Sequence, residues 1–118
     1  MPEQYRRPHW HEANQRVERM KRAWAAERDA LLIVQHFNVR LSANNSAGFY
    51  PTIKTALTAK HHWLVILCET CGAVTDLDLS MKQRDPEASI RVMLRDVRCR
   101  RCNGHGRPRV IGLARHPG

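Results

Sequence analysis

Four cysteines are the residues of this chain whose type and spacing point to a defined chemistry. They form two Cys-x2-Cys pairs, Cys68 with Cys71 and Cys99 with Cys102, and 27 residues separate the pairs. Two intervening residues let a tight turn direct both thiolates at one point, and zinc takes four such donors in a tetrahedron at about 2.3 Å. We therefore expect one structural zinc ion per chain. Four thiolates leave no open coordination position for water, which argues against metal catalysis.

The residues that follow each pair favour the same interpretation. Gly72 comes directly after the first pair and Asn103-Gly104 after the second. Glycine and asparagine tolerate the positive φ that such a turn needs, and the N–H groups of the turn can donate to the sulfurs. Disulfides and redox-active pairs are alternatives, but no secretory or thioredoxin-like pattern accompanies the cysteines. An iron centre uses the same four ligands, and the sequence does not distinguish it from a zinc site.

Strands are predicted on both sides of these pairs. One runs from Trp63 to Leu67 directly into Cys68, a second returns from Ala73 to Leu79, and a third closes the chain from Arg109 to Leu113. A helix is expected to start at Asp85-Pro86-Glu87, because Asp can cap, Pro suits the first helical position and Glu complements the helix dipole. A short helix is also expected after Pro51, ending near residue 60.

This arrangement resembles the zinc-ribbon class: a strand, a Cys-x2-Cys-Gly turn, a return strand, a second Cys-x2-Cys turn and a closing strand. The resemblance covers about residues 63–113. The helix inserted before Cys99 departs from a minimal ribbon and leaves a treble-clef-like variant open. The stretch from Pro51-Thr52-Ile53 through both pairs also looks like small bacterial proteins of uncharacterised function. Zinc ribbons bind nucleic acid or serve as protein docking modules, so the resemblance implies both possibilities and selects neither.

The N-terminal part carries apolar residues at heptad spacing. This seam consists of Trp10, Ala13, Val17, Met20, Trp24, Leu31 and Val34. It predicts an amphipathic helix from about Pro8 to Val34 whose remaining surface is basic. We expect the seam to pack on its own domain, because two tryptophans are unusual in a tight dimer seam. A dimeric coiled coil or a docking face for a protein partner is the alternative.

The next segment is ambiguous between two structures. From Leu31 to Leu41 the apolar residues alternate as in a strand, but the same residues can also prolong the helix. Residues 42–48 have turn chemistry and are the best candidate for a linker. The sequence thus predicts an α+β protein with an N-terminal amphipathic helical segment over residues 1–47. A zinc-ribbon-like domain of short antiparallel strands and an inserted helix follows over residues 48–118.

Charge indicates the kind of partner. The formal net charge of the 118 residues is +9, and from Arg91 onward eight arginines accompany one acid, a local balance of +7. Such a balance favours an anionic partner, nucleic acid first. Arginines on a rigid turn make good phosphate contacts, and the candidates around the second pair are Arg95, Arg98, Arg100, Arg101, Arg107 and Arg109. Partial neutralisation of the four-thiolate site is the alternative role for one or two of them.

Other functional classes find no support in the sequence. There is no phosphate-binding loop, dinucleotide fingerprint or nucleophile elbow, so we expect no enzymatic activity. The first residues lack an apolar signal region and no apolar run is long enough to cross a membrane, so we expect a cytoplasmic protein. Of the seven histidines, His105 after the second pair is the one that could replace a cysteine ligand or contact phosphate.

Overall fold

The structure is a computed structural model that describes residues 3–44, 46–81, 85–102 and 107–118. Side chains are described from Trp10 onward within these ranges. Asn103, Gly104 and His105, which the sequence analysis singled out, lie outside the described residues. The prediction that the chain is α+β is confirmed: a long N-terminal helix is followed by a three-stranded antiparallel sheet in the C-terminal half.

The N-terminal helix, α1, spans Glu3–Asn44 and is longer than the sequence predicted. It includes the ambiguous segment, which is helical throughout. In this helix Ala30, Val34, Phe37 and Leu41 are buried. Their spacing of four, three and four residues places them on one face of the helix. A strand would have buried Val39 together with Phe37, but Val39 is 65% exposed.

The C-terminal part of α1 packs against a single core. The largest fully buried side chains are Phe37, Ile53, Leu64, Leu79, Ile90 and Val34. They come from α1, from α2 (Ile53–Thr58) and from the sheet and its connections. Residues before and after position 47 therefore share one core. The division into segments 1–47 and 48–118 stays a prediction about the chain's organisation.

The sheet has the strand order β2-β1-β3, with β1 at Trp63–Cys68, β2 at Val74–Asp78 and β3 at Pro108–Ala114. Along β1, Leu64, Ile66 and Cys68 are buried, and the residues between them are half-exposed. This alternation follows from the period of two in a strand with one face on the core. The last member of the buried series is a cysteine, so β1 carries the first ligand directly out of the core.

A short helix, α3, spans Ile90–Leu94 and begins later than predicted. Its N-cap is Ser89, whose hydroxyl accepts from the N–H of Arg91, and the expected start at Asp85 was wrong. The reason lies in α2. The carbonyls of Pro86 and Ala88 accept the first N–H groups of α2, from Lys54 at 2.8 Å and Ile53 at 3.0 Å. These carbonyls are thus unavailable for a helix that starts at Asp85.

The first half of α1 projects beyond the core. A helix of 42 residues is about 63 Å long, and the chain measures 72 × 29 × 23 Å along its principal axes. Trp10, Val17, Met20 and Trp24 are between 46% and 65% exposed. The expectation that the whole seam packs on its own domain was therefore wrong for these four residues. It holds for Val34, which is fully buried, and partly for Leu31.

Among the described helices, none is both long enough and apolar enough to cross a membrane.

Candidate metal centre

The first Cys-x2-Cys turn, which we call the first knuckle, joins β1 to β2. The N–H of Cys68 donates to the carbonyl of Ala73 at 2.9 Å, and the N–H of Gly72 donates to the carbonyl of Cys68 at 2.8 Å. Gly72 has φ +76, as predicted from its position after the second ligand. A side chain at this φ would be strained, so the glycine lets the chain reverse within one residue of Cys71.

The second knuckle, Cys99–Cys102, follows α3. The end of that helix is capped by Arg98, whose guanidinium Nη1 donates to the carbonyls of Arg95 at 2.8 Å and of Val97 at 3.0 Å. Beyond the knuckle the chain returns to the sheet beside the first one. There the N–H of Glu69 donates to the carbonyl of Arg107 at 3.1 Å. Pro108 is paired with Cys68 in the strand register.

These connections bring all four cysteine sulfurs together. Cys68 Sγ lies 3.7 Å from Cys102 Sγ, and Cys71 Sγ lies 3.6 Å from Cys99 Sγ. All four sulfurs lie within 4.8 Å of one another. Zinc–sulfur bonds of about 2.3 Å in a tetrahedron require sulfur–sulfur edges of about 3.8 Å. A disulfide requires about 2.05 Å, so the four cysteines are free thiols at a spacing that could hold one metal ion.

The thiols differ in their ease of ionisation. The N–H of Cys71 directed at the sulfur is the main cause that lowers the pKa of Cys68 to about 6, and the N–H of Thr70 adds to it. The pKa of Cys102 is raised to about 12, first by its hydrogen bond with Cys71 and then by burial. The backbone of the first knuckle therefore stabilises the thiolate of Cys68. Cys102 therefore keeps its proton at neutral pH unless a cation among the sulfurs favours its thiolate.

A cleft of about 610 Å³ opens beside the cysteines. It is lined by residues of β2, including Asp76, by Asp96 and by residues of the second knuckle. Of the six arginines predicted to contact an anion, Arg98, Arg100 and Arg101 line this cleft. The other three lie outside its walls: Arg95 directly follows the last residue of α3, Arg107 precedes β3 and Arg109 lies half-buried within β3.

The charges around the second knuckle differ from those elsewhere in the described chain. Within the described part of the chain, ion pairs form between other residues, such as Lys54 with Glu87 at 3.3 Å and Lys60 with Glu27 at 3.5 Å. The carboxylates of Asp76 and Asp96 line the same cleft as the arginines of the second knuckle. Arg100 and Arg101 are also exposed. Their guanidinium groups are therefore accessible to a partner from solvent.

The structure adds one polar cluster that the sequence analysis passed over. Asp78 Oδ1 accepts from the hydroxyl of Ser80 at 2.6 Å and from its N–H at 3.0 Å, and His62 Nε2 lies 3.5 Å away. The Ser80 hydroxyl bond, together with the nearby His62, holds the pKa of Asp78 below its usual value. The hydroxyl donates to the carboxylate and not to the imidazole. The order of groups is thus not that of a serine nucleophile activated by histidine.

The chain matches no protein-family model, no curated protein and no solved structure. Its likeness to zinc ribbons therefore consists of the ligand spacing, the two knuckles and the strand arrangement described above.

Proposed function

We propose that this chain is a small zinc protein that binds nucleic acid through the arginines of its second knuckle. The metal's role in this proposal is structural. It ties the end of β1 to the segment after α3, and its binding energy adds to the free energy of folding. The protein has no catalytic role in this proposal.

The choice of zinc is supported by the ligand chemistry. Four thiolates at tetrahedral spacing suit zinc and iron alike, and zinc is the commoner ion for structural sites of this ligand set. Two short turns supply ligands from separate parts of the fold. A structural ion compensates for the small hydrophobic core of a chain of this size.

The observation that carries the nucleic-acid proposal is the exposure of Arg100 and Arg101 on the second knuckle. Both residues lie between the ligands Cys99 and Cys102. A metal-bound turn holds them in place, so little further entropy is lost when they contact phosphate.

The six arginines have different roles in this proposal. Arg98 uses one guanidinium nitrogen to cap α3, so a substitution there would alter folding as well as binding. Arg95 and Arg107 are exposed and extend the basic surface on either side of the knuckle. Arg109, half-buried in β3, is the least accessible of the set. Arg100 and Arg101 are thus the residues whose replacement tests binding alone.

The test is the salt dependence of binding to duplex DNA and to single-stranded RNA. Each phosphate contact displaces condensed counterions, so log Kd should change with log salt by about 0.9 per contact on duplex DNA and about 0.7 on single strands. Arg100→Ala with Arg101→Ala should reduce this slope by about two contacts and leave metal content and melting temperature unchanged. The matched control removes two exposed arginines outside the knuckle, Arg40→Ala with Arg115→Ala.

The proposal fails under two results. In the first, the unaltered protein does not bind either nucleic acid at low salt. In the second, the Arg100 and Arg101 substitutions and the control substitutions reduce the slope equally, which would mean that net charge and not the knuckle attracts the polymer. Lysine at both positions should restore the slope but only part of the affinity, because lysine lacks the two-pronged donor geometry of arginine.

A second function is favoured by a separate observation, the exposed seam on the first half of α1. Trp10 and Trp24 are 65% and 60% exposed. Tryptophans are frequent anchors of protein interfaces. A protein-interaction role through this helix is therefore the alternative, and it predicts a complex that tolerates high salt.

A further inference from the structure

The first half of α1 presents an apolar stripe that nothing in the described chain covers. We call residues 10–29 of α1 the arm, and its stripe consists of Trp10, Ala13, Val17, Met20 and Trp24. No residue from position 10 to 29 is buried, and the first buried residue is Ala30. The stripe has the same heptad phase as Val34 and Leu41, which are buried in the core. A face that is apolar except at Glu27 and Asn38 is thus covered over one half only.

We infer that the arm pairs with the arm of a second copy of this chain, antiparallel to it, with Trp24 over Ala13 of the second copy. In this register Val17 lies opposite Met20 of the second copy, and the same contacts repeat about the two-fold axis. Trp24 of each copy thus meets Ala13, the smallest residue of the stripe, on the other copy. Such an alternation of large and small side chains lets two helices approach closely. This inference does not depend on the proposed nucleic-acid binding.

Charges beside the stripe favour the antiparallel direction. The flanking positions hold Arg16 and Lys21, both exposed at 65% to 69% of their side-chain surface. In a parallel pair Arg16 of each copy would lie beside Lys21 of the other, and like charges at such positions are destabilising. In the antiparallel pair Arg16 lies beside Ala23 and Lys21 beside Asn14. No like charges then adjoin the stripe between residues 10 and 27.

The register follows from what lies at each end of the arm. A shift of one heptad toward the core would place Trp10 of one copy against Val34 of the other, but Val34 is 0% exposed in the core. A shift of one heptad the other way would place Arg16 opposite Arg16. The remaining register puts Trp10 over Glu27, whose carboxylate is held aside by Lys60 at 3.5 Å.

The area available suits a stable but modest dimer. The pair of arms contains four tryptophans, Trp10 and Trp24 of each copy, and each is more than half exposed. A tryptophan can bury about 150–250 Å², so the exposed parts of the four contribute about 500 Å² to the interface. Val17, Met20 and the stems of the flanking residues raise the total to about 1,000 Å², which is the lower limit for a specific interface. We therefore expect association in the micromolar range.

A membrane surface suits the arm less well than a second helix does. Between residues 10 and 29 the arm has five basic and four acidic residues, a balance of +1. Helices that lie on anionic membranes have a polar face dominated by lysine and arginine. The acids Glu12 and Glu18 instead pair along the arm with Arg16 and Lys21.

The experiment is sedimentation equilibrium of the full metal-loaded chain, without nucleic acid and at high salt, for three variants of the stripe and one control. Trp24→Ala removes the large residue and Ala13→Trp removes the space for it, so each should weaken the dimer at least about tenfold. The double variant with both changes should recover most of the loss. It exchanges large and small residues across the same contact, and residues 13 and 24 meet only in the antiparallel register. Val39→Ala, which removes an exposed apolar residue outside the stripe, is the control and should change nothing.

Three results would overturn the inference. The unaltered chain could be a monomer throughout the micromolar range, the dimer could be insensitive to Trp24→Ala, or the double variant could be as weak as the single ones. Binding of the monomer to vesicles of anionic phospholipid, lost in Trp24→Ala, would assign the stripe to a membrane surface instead. None of these results affects the salt-dependence test of Arg100 and Arg101, so the two proposals fail separately.

Discussion

Asn38 and Leu113 are 75 residues apart in the chain and exchange two hydrogen bonds. The side-chain amide of Asn38 donates to the carbonyl of Leu113 at 2.9 Å, and the N–H of Leu113 donates to the amide oxygen of Asn38 at 2.8 Å. β3 is an edge strand, and Asn38 supplies the donor and the acceptor that a further strand would have supplied. The contact attaches α1 to the strand that follows the second knuckle.

We predict that Asn38→Leu lowers the free energy of unfolding by about 1–3 kcal/mol, since it leaves the polar groups of Leu113 without partners in a partly buried site. Urea denaturation of the metal-loaded chain measures this change. Asn14→Leu, the same substitution at an exposed position of the arm, is the control and should alter stability by less than about 0.5 kcal/mol. Equal effects of the two substitutions would show that the pair contributes nothing.

Gly112 is expected to be sensitive for a related reason. A Cβ at this position would lie 2.9 Å from the side-chain oxygen of Asn38, closer than two such atoms approach. Gly112→Ala should therefore force Asn38 away from Leu113 and lower stability by about 1–3 kcal/mol. In the background of Asn38→Ala, which removes the clashing oxygen, Gly112→Ala should cost much less. A double-mutant cycle measures this coupling, and additive effects would contradict it.

The two tryptophans of the arm should contribute little to the folding of the monomer. Trp24 is 60% exposed whereas Phe37 is fully buried. At concentrations where the chain is monomeric, Trp24→Ala should change the free energy of unfolding by less than about 1 kcal/mol. Phe37→Ala should lower it by about 3–5 kcal/mol. A large loss from Trp24→Ala under these conditions would mean that the arm folds back onto the core.

Metal binding should release protons, and the number should depend on pH. The pKa of Cys68 is lowered to about 6, so this thiol is ionised before metal arrives at pH 8 but only about half ionised at pH 6. Cys102, with a pKa raised to about 12, gives up its proton to the metal at either pH. Between pH 8 and pH 6 the proton release should therefore rise by about half a proton from Cys68. Calorimetric titration of the metal-free chain with zinc, in buffers of different ionisation enthalpy, measures it.

Cys68→Ser should abolish tight binding, because the metal then has only three thiolate ligands. Cys71→Ser and Cys99→Ser should also abolish stoichiometric metal, because three thiolates leave the tetrahedron open. Retention of one metal ion per chain by all three variants would contradict the four-cysteine site. Visible absorption by the purified protein would identify iron in place of zinc.

Stability toward acid should depend on Asp78. Its carboxylate has a pKa below the usual value because Ser80 donates two hydrogen bonds to it and His62 lies beside it. A carboxyl group with a lowered pKa in the folded state stabilises the fold above its unfolded pKa, near 4, and this contribution disappears as the pH falls through the folded pKa. Asp78→Asn should thus lower stability at pH 6 and reduce its further loss below pH 4. Asp29→Asn, an equal change of charge at an exposed site, is the control, and thermal melts at several pH values measure both.

Several features of the candidate site are local in the chain and were predictable. The four ligands, the positive φ of Gly72 and the strand that ends in Cys68 all follow from residues within a few positions of one another. A Cys-x2-Cys-Gly turn needs no distant contact to direct two sulfurs at one point. The sequence also predicted the short helix α2 and the closing strand near their observed bounds. The sequence therefore predicted the features that depend on residues close to one another in the chain.

Tertiary contacts decided the remainder. Residues 31–41 suit a strand or a helix, and burial of Phe37 and Leu41 on the core face of α1 selects the helix. α3 begins at Ser89 because α2 takes the carbonyls of Pro86 and Ala88. The heptad seam of α1 is apolar except at Glu27 and Asn38. Such a pattern predicts that one face of the helix is apolar, but it does not predict which surface covers that face. The core extends along α1 only as far as Ala30, so the same pattern is buried beyond that residue and exposed before it.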